Sequence, residues 1–312
     1  MVLSVLILLG AFVALYFGAE FLVKGAVGIS EHLSISKVIV GVALVAFGTS
    51  APELFVNVIA AREGHSGLAL SNVSGSNLAN LFAGFGFCML VGLARISRTD
   101  FRLDILFFAL APLIIVLFFV FSPELPLWGA GVLLTVFIGY FYLMKDRLKD
   151  ETPKEDEQDI ELSLPMSVVW FVGGILLLYV GGDMVVENAL AIGKHFGISE
   201  AILGLTVVAF GTSIPDITAS VVAVRRQQES IAVGNLLGSN IFNILLVLSC
   251  TLFASGDRLV GSSLITLDYL LVSLASITFA MMIMKGVCFG KKTGLLFLTV
   301  YVCYLVVRVF AL

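Results

Sequence analysis

Two short stretches of this chain set a carboxylate beside a proline, hydroxyls and a glycine in otherwise apolar surroundings. They are Ala46-Phe47-Gly48-Thr49-Ser50-Ala51-Pro52-Glu53 and Ala209-Phe210-Gly211-Thr212-Ser213-Ile214-Pro215-Asp216. An acid inside such a run costs about 2.5 to 3.5 kcal/mol on membrane-insertion scales, so two at matching places call for a compensating charge. A cation supplies one. Helical spacing gathers oxygen ligands around each acid: Thr49 lies four residues before Glu53, Ser50 three before and Asn57 four after. Thr212, Ser213 and Ser220 repeat the pattern around Asp216, and further along Ser76 and Asn80 are mirrored by Ser239 and Asn243. None of these groups is a thiolate or imidazole, so calcium, sodium and potassium all fit, and two carboxylates among hydroxyl and amide oxygens suit calcium best. Pro52 and Pro215 lack an amide hydrogen, and the helical ladder is expected to break around Gly48 and Gly211, freeing carbonyls. Non-helical backbone at membrane depth is tolerated where it lines a cavity or lies inside protein. For Asn77 and Asn240, close helix packing is as good a reading as ligation.

The elements that must hold these residues are membrane spans. Of 312 residues, 59% are hydrophobic and 13% charged, the net charge is −4, and the mean hydropathy is +1.08. A soluble domain carries about 25% charged residues, so the class is a polytopic all-α membrane protein, and nothing points to nucleic acid. At about 20 residues per span, apolar segments fall near 2–27, 35–61, 67–93, 104–121 and 126–144, then near 166–189, 198–224, 230–254, 265–284 and 293–311. The division is a first half, 1–144, a hydrophilic acidic linker, 145–165, and a second half, 166–312. No removable signal peptide is expected at the first span.

The halves align without a gap at an offset of 163 residues: Tyr16 on Tyr179, Gly18 on Gly181, His32 on His195, Gly41 on Gly204, Arg62 on Arg225, Asn72 on Asn235 and Ser76 on Ser239. This is an internal duplication. Five spans is an odd number, so the second half enters the membrane in the opposite sense, the inverted repeat of secondary transporters. Loop charges agree. With the linker cytoplasmic and both termini outside, only Arg62, Lys194, Arg258 and Arg308 fall outside, against fourteen Lys and Arg inside.

The paired Gly-Thr-Ser-x-Pro-Glu/Asp segments, each followed by Gly-Ser-Asn-x-x-Asn, resemble the two alpha-repeats of the sodium/calcium exchanger branch of the calcium/cation antiporter superfamily, prokaryotic type. The resemblance implies ten spans with broken helices at the ion site. It also implies a rigid core of spans 2, 3, 7 and 8, and spans 1 and 6 sliding across it. It assigns calcium to Glu53 and Asp216 with Thr49 and Thr212. Sodium falls to Ser50, Ser213, Ser76 and Ser239 with the carbonyls near Ala46 and Ala209. Helical position adds Asn80 and Asn243. Potassium-dependent members carry an acid where this chain has Asn243, so the amide argues against a potassium requirement. Two site charges are neutralised by one calcium and brought to +1 by three sodium ions. Exchange at the family's ratio then moves one charge per cycle, about 2.3 kcal/mol per 100 mV. A compact exchanger of a prokaryotic plasma (inner) membrane is expected, a monomer with no cofactor and no obligate protein partner.

Rival readings are a proton/calcium or potassium-dependent antiporter on the same fold, and a cation channel or ion sensor. An enzyme is disfavoured: His32, His65 and His195 all lie near span ends, and no nucleophile and base share a motif. Glu20 and Asp183 match across the repeat, with Lys24 and Glu187 a turn further on, and are expected at interfacial depth. Phe47 and Phe210 adjoin the broken turns, as occluding or packing residues. Cys88, Cys250, Cys288 and Cys303 are expected as small core residues.

Overall fold

The computed structural model describes residues 2–145, 162–195 and 209–310. Most of the acidic linker, 146–161, and the start of the seventh expected span, 196–208, lie outside the described residues. The helices are α1 (Val2–Leu33), α2 (Lys37–Thr49), α3 (Ala51–Arg62), α4 (Ser66–Val91), α5 (Arg102–Phe121), α6 (Leu127–Met144), α7 (Leu164–His195), α8 (Ala209–Thr212), α9 (Ile214–Arg225), α10 (Glu229–Ser255), α11 (Ser263–Met284) and α12 (Lys291–Phe310). Eight of these are long and apolar enough to cross a bilayer, and α2 with α3 makes a ninth, bent by 43° at its break. The protein is thus an all-helical membrane protein apart from one small ladder.

Glycines in positive φ stop several helices where the apolar run ends: Gly92 after α4 (φ 142°), Gly256 after α10 (φ 72°) and Gly286 after α11 (φ 68°). Enclosure ranks the helices. In α4 and α10, 83% of the apolar window is buried inside the protein, against 22–50% in the other long helices, so these two form the centre. They are also the helices that carry the Gly-Ser-Asn segments. α10 packs on α2 and α3, while α4 packs on α8 and α9. The α2–α10 crossing is close because both sides are glycine: a Cβ on Gly41 would stand 2.7 Å from the Ile231 carbonyl, and one on Gly234 2.9 Å from the Val38 carbonyl.

α1 and α7 form a second unit. Gly18, Gly25, Gly174 and Gly181 recur every seven residues along their seam, where backbones touch in place of side chains. A Cβ on Gly25 would sit 2.4 Å from the Phe171 amide nitrogen and 2.6 Å from the Ser167 carbonyl. Gly25→Leu is therefore expected to part the pair, lowering stability by about 1–3 kcal/mol. A melting temperature in detergent equal to that of the parent would contradict this.

Two further pairs tie α5 to α6 and α11 to α12. Tyr140 donates to Asp104 at 2.6 Å, and Tyr304 donates to Asp268 at 3.3 Å. Asp268 also meets Arg308 at 2.7 Å. Arg308, expected among the outside charges, is buried on α12, and its ion pair with the equally buried Asp268 is what makes that burial tolerable. Among the described residues, two backbone joints between turns add to the helix packing that holds the halves together. Strands β1 (Glu124–Pro126) and β2 (Arg258–Val260) pair antiparallel with Leu125 opposite Leu259. The Phe289 amide donates to the Ala94 carbonyl at 2.8 Å. The cysteine expectation holds for Cys88 alone as a fully buried residue. Cys288 and Cys303 are exposed, the former because it lies in the α11–α12 turn.

Candidate cation-binding site

Proline sets the local shape. In each motif the helix stops at the serine, Ser50 (φ −87°, ψ 3°) and Ser213 (φ −85°, ψ −6°), and restarts with the proline in its first turn. The break lies two residues beyond the expected Gly48 and Gly211. Those glycines instead make room for α7: a Cβ on Gly48 would fall 2.4 Å from Ile175 Cδ1, and one on Gly211 2.1 Å from Val186 Cγ2. The new helix of each motif begins with its acid in the first turn, where the amide end favours a negative charge.

Glu53 and Asp216 are both fully buried, as are Ser76, Asn80, Ser213, Ser239 and Asn243, with Thr49, Ser50 and Thr212 nearly so. Asp216 is held: Asn80 Nδ2 donates to Oδ2 at 2.7 Å and Ser239 Oγ to Oδ1 at 3.0 Å. Thr212 Oγ1 lies 3.3 Å from Ser76 Oγ. Thr212 faces Glu53, Thr49 faces Asp216, and the two acids lie within electrostatic reach. The Ala46 carbonyl accepts the Ser50 amide at 3.0 Å, and Ala209 opens α8.

The threonines are positioned by residues whose role the spacing did not reveal. Thr49 Oγ1 lies 3.0 Å from Asn235 Oδ1, and Thr212 Oγ1 lies 3.4 Å from Asn72 Oδ1. Asn235 and Asn72 are repeat equivalents, so each half fastens the other's threonine. Asn235 also donates to the Asp216 carbonyl at 3.0 Å and to Ser220 Oγ at 2.9 Å, and Asn57 donates to the Glu53 carbonyl at 2.7 Å. Asn77 and Asn240 bond to backbone, Asn77 to the Asn240 carbonyl at 3.3 Å and Asn240 to the Leu236 carbonyl at 2.7 Å. That is the packing reading. Asn80 lies within one π-helical turn, Ala79–Gly84, and Asn243 opens another, Asn243–Val247, a local widening of the ladder frequent at functional sites.

What remains unpaired is chemically selective. Among the described residues both Glu53 carboxylate oxygens, Ser50 Oγ, Ser213 Oγ, Asn80 Oδ1 and Asn243 Oδ1 are buried without a hydrogen-bond partner, against two unpaired amide donors, Asn72 Nδ2 and Asn243 Nδ2. Buried oxygens in such excess over donors suit a cation, since each would otherwise carry its full desolvation cost. No group of three or more His, Cys, Asp or Glu side chains gathers among the described residues. A narrow crevice between Phe47, Leu54, Phe242 and Leu246 reaches Ser50. The Phe47 ring is 53% exposed and lies 6.1 Å from that of Phe242, while Phe210 packs on Tyr301.

The broken helices thus bring two buried acids into one oxygen-rich centre of a polytopic helical membrane protein, an arrangement of the kind found in ion transporters. A sequence profile described as "Sodium/calcium exchanger protein" matches the chain twice, over residues 3–145 and 166–310. The chain belongs to the sodium/calcium exchanger family. It is similar to sodium/calcium exchanger MaX1 of Methanosarcina acetivorans, 27% identical over 97% of each chain. It is also similar to inner membrane protein YrbG of Escherichia coli K12, 29% identical over 90% of this chain and 89% of that one. Among solved structures, the sodium-calcium exchanger NCX_Mj superposes with a TM-score of 0.84, at 25% identity, over 98% of both chains. The activity class is cation/calcium antiport in a membrane.

Proposed function

We propose that this chain exchanges sodium for calcium by alternating access, electrogenically and without potassium. The observation that carries the reading is the buried pair Glu53 and Asp216 amid unpaired oxygens. Calcium is held by Glu53, Asp216, Thr49 and Thr212. Sodium is held by Ser50, Ser213, Ser76, Ser239 and the carbonyls of Ala46 and Ala209, with the amide oxygens of Asn80 and Asn243 completing the shell. One calcium balances two carboxylates, and three sodium ions leave +1, so a three-for-one cycle carries charge. The amide at Asn243 adds no charge that a potassium ion would balance.

The same proposal divides the chain into inverted five-helix halves, 1–144 and 166–312, joined by the linker 145–165. Ten spans then place both termini outside and the linker in the cytoplasm. The proposal also takes the protein as a monomer working without a cofactor in a prokaryotic inner membrane, the location being in keeping with the name of YrbG. Radioactive calcium uptake into sodium-loaded proteoliposomes, diluted into medium free of sodium and potassium, tests the reading. Uptake driven by the sodium gradient alone is expected. Uptake that needs potassium refutes the potassium-independent form, and uptake driven only by a proton gradient refutes sodium coupling.

A further inference from the structure

The contact between the α1–α7 pair and the central helices is unequal at its two ends. α1 packs along α9, and its repeat equivalent α7 makes no comparable contact with α3. Exposure follows: Val222 on α9 is 3% exposed and its equivalent on α3, Ile59, is 55% exposed. At the packed end Glu20 of α1 accepts from Arg226, the residue that follows α9, with Nε at 2.8 Å and Nη2 also in contact with the same oxygen. The Glu20 side chain is only 16% exposed. The offset of 163 residues maps Glu20 onto Asp183 and Arg226 onto Glu63. Where one end sets base against acid, the other sets acid against acid.

We propose that Glu20 and Arg226 form a one-sided latch that holds α1–α7 against α9 and so favours the form closed at the Arg226 face. The transport cycle must open this bond each turn, and among the described residues the opposite closure, which brings Asp183 toward Glu63, sets acid toward acid. The proposal rests on the alternating-access reading above; with the linker cytoplasmic, the latched face is the inner one. Exposed ion pairs are weak, and one with a largely enclosed carboxylate and two converging N–H groups changes the ratio of the two forms about fivefold, which is about 1 kcal/mol.

Spin-label distances on the full chain in proteoliposomes test this, with Cys288 and Cys303 replaced by Ser. One label pair at positions 33 and 229 reports the latched face, and another at 62 and 187 the opposite face. Because Arg226 makes a further contact, the carboxylate is the group to remove. Glu20→Gln is expected to raise the population with a long 33–229 distance about fivefold. Raising ionic strength should do the same in the parent and little in Glu20→Gln. Glu63→Arg, which gives Asp183 a partner, should raise that population as well. An unchanged ratio in Glu20→Gln, or equal salt response in both proteins, overturns the latch. The readout needs no calcium, so a failed uptake assay alongside a shifted distance removes the ion assignment and leaves the latch standing.

Discussion

Glu53→Gln is expected to abolish calcium exchange, lowering the initial uptake rate by about 100-fold or more, and Asp216→Asn to do the same. Each removes one of the two fully buried carboxylates proposed to hold calcium, and unbalancing a buried charge set costs about 3–5 kcal/mol. The two variants are expected to differ in stability without calcium. Both Glu53 oxygens lack partners among the described residues, so an amide there relieves an uncompensated carboxylate and raises the melting temperature. Asp216 accepts from Asn80 and Ser239, and an amide there loses charge-assisted bonds and lowers it. Calcium at about 100 times its dissociation constant should stabilise the parent by about 2.7 kcal/mol and neither variant. Normal flux in either one removes the proposed site.

Asn243→Asp should change which ions are coupled. Both ends of the Asn243 amide are buried without a partner among the described residues, so a carboxylate there has no donor waiting and adds a third negative charge. One calcium no longer neutralises the centre, and a monovalent ion must join it. Calcium uptake driven by sodium is expected to become potassium-stimulated, read as the ratio of rates with and without potassium. A ratio of one in both parent and variant means that position 243 does not set the coupling.

Much of this arrangement was legible before any coordinates. The duplicated proline motifs, the acids and the Ser-x-x-x-Asn pairs depend on local spacing, and helical periodicity carries them directly into space. The tertiary pairings were not. Asn72 and Asn235 stood out only as aligned residues, because the threonine each fastens belongs to the other half of the chain. The break at Ser50 and Ser213 was displaced because proline disfavours the helical turn before it, and where that turn yields depends on what packs there; Ile175 and Val186 occupy the glycine positions. The π-helical turns at Asn80 and Asn243 have no composition signal. Glu20 read as an interfacial charge because its partner lies 206 residues away. The unequal surroundings of Glu53 and Asp216 were hidden by the symmetry of their motifs.

The two joints between the halves have a mechanical meaning. The β1–β2 ladder laces the α5–α6 turn to the α10–α11 turn, and the Phe289–Ala94 bond laces the α4–α5 turn to the α11–α12 turn. The framework is thus sewn at two separate seams, while α1 and α7, zipped to each other by glycine, are stitched to neither. On the alternating-access reading proposed above, the sewn framework is the part that stays and the α1–α7 pair the part that moves.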